Sequence, residues 1–161
     1  MASRKKLFVL LGIGAAAIAA FVLYWFQPQA LFLNTRVNEA APVAMEKSPI
    51  DGSFRSLAHT TTGKAVIVHG EDGKNFVRFE DFETSNGPDL FVYLSTAPAT
   101  SSENTFAEDF IDLGRLEANI GNQNYEIPAG TDIAKYKSVV IWCKRFKTGF
   151  GVAPVGSTSE T

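Results

Sequence analysis

The chain opens with one unbroken apolar run, and beyond it short apolar runs alternate with turn-forming residues. Residues 7–26, LFVLLGIGAAAIAAFVLYWF, contain no charged side chain, and about 20 apolar residues in a helix span the hydrocarbon core of a bilayer. Tyr24 and Trp25 stand near the far end of the run, where amphipathic rings favour the membrane interface. This pattern predicts a single transmembrane helix.

The cations around this run predict its orientation. Arg4, Lys5 and Lys6 precede it, and the next cation along the chain is Arg36. Because positively charged flanks remain in the cytoplasm, residues 1–6 are expected on the cytoplasmic side and the C-terminal part outside. The chain is therefore interpreted as a single-pass membrane protein with an extracytoplasmic domain.

A cleaved signal peptide is the alternative to an uncleaved anchor. The apolar region of a signal peptide is usually about 7 to 15 residues long and ends at a small-x-small cleavage site. Here the apolar run continues through Tyr24, Trp25 and Phe26. This favours an uncleaved signal-anchor.

The pattern after the apolar run predicts three further parts. Residues 27–49 have no steady apolar period and hold three prolines, so they are interpreted as a tether. Residues 50–155 carry short runs rich in Val, Ile, Phe and Tyr between turn residues, which is typical of an all-β domain. Residues 156–161 form a polar tail.

The strand pattern predicts a single antiparallel β-sandwich, jelly-roll-like, preceded by one transmembrane helix. The sequence HGEDGKN contains Asp-Gly, which accepts positive φ and predicts a hairpin turn. The predicted strands cover residues 53–59, 64–69, 75–82, 90–95, 109–113, 123–127, 138–146 and 149–154.

The net charge argues against a nucleic-acid partner. The chain has 15 Lys+Arg and 17 Asp+Glu; without the three cations before the apolar run, 12 basic residues stand against 17 acidic ones, a net charge of −5. A nucleic-acid-binding domain needs a basic footprint. No polybasic lipid-binding segment is visible in the sequence either.

Cys143 is the only cysteine, so no internal disulfide can form and the domain must be stabilised by its hydrophobic core. It lies in SVVIWCKRF, residues 138–146, where strand alternation places Cys143 and Arg145 on one face and Lys144 on the other. An unpaired cysteine in an apolar strand is commonly a small buried core residue. Neighbouring cations would instead favour a reactive thiolate.

Four segments resemble a known family in their order and spacing. They are GSFRSLAHTTTGKAVIV (52–68), FEDFETSNGPDLFVYLS (79–95), DLGRLEANIGNQNYEIPAG (112–130) and YKSVVIWCKRFKTGFGVAPV (136–155). The Gly-Pro-Asp-Leu, Gln-Asn-Tyr and Ile-Trp-Cys pieces are the specific ones. Over essentially the whole exported domain, the chain resembles the DM-thirteen, or electron transfer, domain that is also present in Skeletor-like surface proteins.

The resemblance implies a β-sandwich module for electron transfer or oxidative modification at the cell surface. The family's signature cysteine corresponds to Cys143 and its early histidine to His59. The resemblance implies that the cysteine acts as a bare thiol or as ligand of a prosthetic group such as haem. If the fold brings His59 near Cys143, the pair would serve a haem iron, or the imidazole would act as a base toward the thiol. Any haem would be non-covalent, because the sequence has no CxxCH. The chain departs from the family in FKTGFG, where Lys147 and Thr148 predict a more polar final hairpin.

Alternatives stay open for these residues and for the function. A histidine at a strand end, such as His59, is more often a hydrogen-bonded surface residue than a ligand. The redox interpretation makes Cys143 the working atom toward an unknown redox partner. The second interpretation is a non-catalytic binding or adhesion module that presents loops to a surface protein. A third is an intermolecular disulfide through Cys143.

Overall fold

The computed structural model describes residues 2–26, 33–47 and 52–156, and its first element is a long helix, α1, Ala2–Phe26. Residues 4–25 of α1 are exposed to solvent throughout. The window Arg4–Trp25 has a mean hydropathy of 2.5, and none of it is buried against the rest of the protein. In length and composition the helix fits a membrane anchor, and because it lies near the N-terminus it also fits a signal sequence.

The remaining described residues form an antiparallel β-sandwich of two sheets, as the sequence predicts. The strands are β1 Ala44–Lys47, β2 Arg55–Ser56, β3 Thr61–Gly70, β4 Asn75–Thr84, β5 Leu90–Ser95, β6 Phe110–Arg115, β7 Gln123–Ile127, β8 Ser138–Cys143 and β9 Thr148–Pro154. The first sheet has the order β1-β3-β4-β7 and the second sheet the order β2-β9-β8-β5-β6.

The main core lies between the two sheets. Successive side chains of a strand point to opposite faces, so Val77 and Phe79 of β4 and Val139 and Ile141 of β8 project into the same interior, each 0% exposed. Complete burial of such a side chain stabilises the fold by about 1.5 to 3 kcal/mol. This interior supplies the stability that a domain without a disulfide needs.

A second apolar cluster covers the outer face of the second sheet. Val140 and Trp142 of β8 pack there with Tyr93 of β5. A short 3-10 helix, Glu103–Ala107, places the fully buried Phe106 over them. β8 is therefore buried on both faces, which explains why its sequence SVVIWC is a continuous apolar run rather than an alternating one.

Part of the segment interpreted as a tether lies on the domain. Val37 and Glu39 donate backbone hydrogen bonds to the carbonyl oxygens of Ile120 (3.0 Å) and Asn122 (2.9 Å), and β1 then pairs with β3. The segment crosses the outer face of the first sheet, where Arg78 donates to the carbonyl oxygen of Glu39 (3.4 Å). Backbone pairing of this kind needs no apolar period, which is why the pattern of hydrophobic residues did not reveal it.

Two predicted strands are shorter than expected. The predicted strand 53–59 reduces to the two residues of β2, and the predicted strand 138–146 ends at Cys143. Residues 144–147 instead form the turn between β8 and β9, where Lys147 adopts a φ of 51°. A turn closes the hairpin here because β9 returns immediately along β8, with Cys143 opposite Thr148.

One buried polar side chain organises the loop before β7. Gln123 is 0% exposed; its Oε1 accepts hydrogen bonds from the backbone N–H of Ala118 (3.2 Å) and from the hydroxyl of Tyr125 (2.6 Å). Its Nε2 donates to the carbonyl oxygen of Ala118 (2.9 Å). The amide therefore satisfies two backbone groups that would otherwise be buried without a partner.

Replacing Gln123 by leucine (Gln123→Leu) is expected to lower the free energy of unfolding by about 2 to 4 kcal/mol, because both backbone groups of Ala118 lose their partner. Urea denaturation of the full chain in detergent micelles, followed by the fluorescence of buried Trp142, measures this difference. The exposed position Glu126 on the same strand gives the control Glu126→Gln, with an expected change below about 0.5 kcal/mol. Equal stabilities of the two variants would contradict the assigned role of Gln123.

Candidate functional site

Cys143 is the last residue of β8, and its side chain is fully buried. Its exposed fraction is 0%, and the strand register places it between Leu90 of β5 and Thr148 of β9. It belongs to the core cluster between the sheets, together with Ile141 and Phe150. In this arrangement the thiol has the environment of a small apolar core residue, at the end of the core where β8 stops.

His59 lies outside this core, at the same end of the sandwich. Its side chain is exposed, and its ring packs on Phe150 with 3.9 Å between the ring centroids. The backbone N–H groups of Leu57 and Ala58 donate to the carbonyl oxygens of Phe150 (2.9 Å) and Gly149 (3.1 Å). These bonds hold residues 57–59, the His59 loop, against β9.

The imidazole and the thiol are not partners of each other: His59 stacks on Phe150, and Cys143 belongs to the same core cluster as Phe150. Within residues 52–156, no hydrogen bond joins His59 to Cys143, and His59 reaches the core cluster through Phe150. The described part of the chain also contains no group of three or more His, Cys, Asp or Glu side chains that could hold a metal ion. The role of His59 as a base toward the thiol therefore requires a change in this arrangement.

Arg145 does not share the face of Cys143, although strand alternation predicted that it would. It is exposed in the turn after β8, and its guanidinium donates to the carbonyl oxygen of Trp25 (2.8 Å). The alternation fails here because the strand ends at Cys143. Lys144 points to the outer face of the second sheet, as predicted, with its ammonium 3.4 Å from the ring centroid of Phe91.

Two cavities open at this end of the sandwich, and neither reaches the sulfur. One, of about 280 Å³, is lined by residues that include Gly87 and Leu90; the other, of about 490 Å³, is polar and is lined by residues that include Thr84 and Asn119. Cys143 lines neither cavity and is enclosed by core side chains. A haem iron would need an open approach to its ligand, so these surroundings do not fit haem ligation by Cys143.

Aromatic rings stack in a row on the outer face of the second sheet, next to the thiol in sequence. The rings of Trp142 and Tyr93 are near-parallel with 6.1 Å between centroids, and those of Tyr93 and Phe110 with 4.0 Å. Indole and phenol rings in van der Waals contact stabilise the outer cluster beyond simple burial. Trp142 lies in the apolar run SVVIWC, but the row joins three strands and has no local signal in the sequence.

The phenol of Tyr93 is held in its neutral form. Burial is the largest cause and the negative charges of Asp112 and Asp89 add to it; together they raise the pKa of Tyr93 to about 12. Asp112 also forms an ion pair with Lys144 (2.5 Å), so its charge is fixed close to the stack. Tyr93 therefore keeps its proton well into the alkaline range.

Alkaline pH is expected to destabilise the domain through Tyr93. In the unfolded chain the phenol ionises near its ordinary pKa of about 10, whereas in the folded domain its pKa is about 12. The unfolded state loses its proton first, so the free energy of unfolding decreases as pH rises from about 10 to 12. Urea denaturation at about pH 8 and about pH 11 measures this decrease in the free energy of unfolding. The decrease should be about 1 kcal/mol smaller in Tyr93→Phe than in the unmodified protein. The same drop in both proteins would contradict this assignment.

One protein family matches this domain. The sequence model of the family Electron transfer DM13 matches residues 53–155, which is more than half of the chain and includes β2 through β9. No curated protein and no solved structure matches the chain. The matched region contains both the His59 loop and Cys143, and the predicted resemblance is confirmed. The chain therefore belongs to the Electron transfer DM13 family.

Proposed function

We propose that this protein is a membrane-anchored, extracytoplasmic electron-transfer module in which Cys143 exchanges electrons as a thiol. The family assignment of residues 53–155 supports the electron-transfer class. The observation that carries the choice of residue is the position of the only thiol in the chain. It lies at the end of β8, in the core cluster whose Phe150 stacks with the exposed His59.

The thiol must become reachable for this chemistry, and the His59 loop is the proposed cover. The strand β2, at the start of this loop, pairs with β9 over only two residues. Short pairings with exposed side chains open at a lower free energy than the core of a domain. In the proposed active form the His59 loop leaves Phe150 and exposes Cys143 to a partner.

The exchange itself is a thiol–disulfide reaction. The Cys143 thiolate attacks one sulfur of a partner disulfide, forms a mixed disulfide and displaces the second partner sulfur as a thiolate, which takes up a proton. A second external thiol attacks the mixed disulfide and returns Cys143 to its reduced form. A single cysteine is sufficient for this sequence, because the partner supplies the other sulfur atoms.

The reaction of the native thiol with an aromatic disulfide reagent tests this proposal. For the full chain in detergent micelles, the proposal expects a rate that is insensitive to low urea, because only the His59 loop opens. Removing the stacked ring with His59→Ala should raise this rate about 2- to 5-fold, since an aromatic pair contributes roughly 0.5 to 1 kcal/mol. The matched control is His69→Ala. His69 lies in β3 beside the turn to β4, and its replacement should leave the rate unchanged.

The opposite outcome is equally well defined. If the thiol reacts only as fast as the whole domain unfolds, with the same urea dependence, Cys143 is a structural core residue. An absorption spectrum of the same protein with added haem completes the experiment. If added haem gives a Soret shift that disappears in Cys143→Ala, the electron carrier is haem bound through Cys143 and not the thiol itself.

A non-catalytic binding module is the second candidate, and the complete burial of Cys143 favours it. In that case the sulfur only fills space in the core and the loops of the sandwich contact a partner protein at the cell surface. Cys143→Ala would then retain function and lose about 1 kcal/mol of stability, as expected for removing one buried group.

The proposed orientation predicts the effect of the N-terminal cations. Replacing Arg4, Lys5 and Lys6 by glutamine should reduce the fraction of chains whose C-terminal domain lies outside, because the positive flank is lost. Protease digestion of intact cells, with detection of the C-terminal domain, measures this fraction. Complete protection of the domain in the unmodified protein would contradict the orientation.

A further inference from the structure

We propose that the turn after β8 docks on an anionic membrane surface beside the anchor. The turn consists of residues 144–147, Lys-Arg-Phe-Lys, and is named the KRFK turn here. Phe146 is 64% exposed, and it is the one exposed large hydrophobic side chain within residues 52–156. An aromatic ring between cations is a combination that suits the headgroup region of a bilayer.

The two cations on either side of Phe146 are available to lipid. Lys144 is paired with Asp112, but no carboxylate of the described residues forms an ion pair with Arg145 or Lys147. The carboxylates nearest the turn have other partners: Asp112 pairs with Lys144, and Glu103 accepts hydrogen bonds from Thr148 and Gly149. The turn therefore presents two cations to lipid, and cations near a surface are attracted to anionic headgroups.

The chain reaches the domain at the same end as the KRFK turn. Leu33 lines the smaller cavity together with Leu90, and Leu90 pairs with Cys143, the residue just before the turn. Only residues 27–32 separate Leu33 from the end of α1, and they can span at most about 25 Å. This end of the sandwich must therefore stay near the membrane face where α1 emerges.

A direct contact supports the same placement. The guanidinium of Arg145 donates a hydrogen bond to the carbonyl oxygen of Trp25 (2.8 Å), in the last turn of α1. Trp25 belongs to the aromatic end of the apolar run, which marks the interface level. The contact places the KRFK turn at the depth of the headgroups, with Phe146 able to enter the interface.

Quenching by brominated lipids tests the docking. The full chain carries Trp25→Phe and Phe146→Trp and is reconstituted in nanodiscs of neutral brominated phosphatidylcholine, with or without phosphatidylglycerol. The new indole should be quenched at least about threefold more with the anionic lipid than without it. The remaining native indole, Trp142, is buried and gives a constant background.

The matched control places the probe at the far end of the sandwich. Ala129 is exposed and follows β7, whose Ile127 pairs with Asn75 beside the turn between β3 and β4. In the Trp25→Phe background, Ala129→Trp should show no added quenching. Adding Arg145→Glu and Lys147→Glu to the Phe146→Trp protein should abolish the additional quenching that anionic lipid causes.

Two results would overturn the inference. Equal quenching at positions 146 and 129 would mean that the KRFK turn does not contact lipid and is free for another partner. Equal quenching at position 146 in neutral and anionic discs would remove the electrostatic part of the proposal. The inference rests on the retained anchor of the proposed function, but not on its redox chemistry; retention of all variants in the nanodisc fraction shows that the anchor itself is intact.

Discussion

The burial of β8 on both faces is the constraint on which the rest of the structure depends. Its backbone pairs with β5 on one side and β9 on the other, and its side chains enter the core between the sheets and the outer cluster in alternation. A domain without disulfides needs such a strand, because the hydrophobic core is its main source of stability. The outer cluster in turn must be covered, and the 3-10 helix Glu103–Ala107, which contains Phe106, covers it.

This constraint also sets the chemistry of the lone thiol. Cys143 lies at the last position of β8 that is enclosed by the core, and residues 145–147 of the following turn are exposed. The sulfur is thus protected by its neighbours and yet only two residues from the exposed Arg145. The same end of the domain receives the chain from α1 and carries the KRFK turn. If α1 is retained as the proposed anchor, a partner that reaches Cys143 would meet it close to the lipid surface.

The sequence predicted the architecture well where burial determines the pattern. β4, β5, β7 and β9 agree with their predicted ranges to within two residues, because each has one or two buried faces. β1 was missed, since Ala44–Lys47 is held by backbone pairing to β3 and has no apolar alternation. The predicted site residues lie at one end of the sandwich, but their exposure could not be predicted. Whether Cys143 faces a core or a rim depends on where β8 ends, and that is decided by its pairing with β9.

The position of β1 has a consequence for how the domain behaves when it is shortened. Family similarity begins at residue 53, whereas β1 covers the outer side of β3 from Ala44 to Lys47. A chain that starts at the family boundary would leave residues 68–70 of β3 without a neighbour along that edge. Open edges of this kind recruit strands from other molecules and lead to aggregation. Residues 44–47 thus act as a built-in guard against self-association.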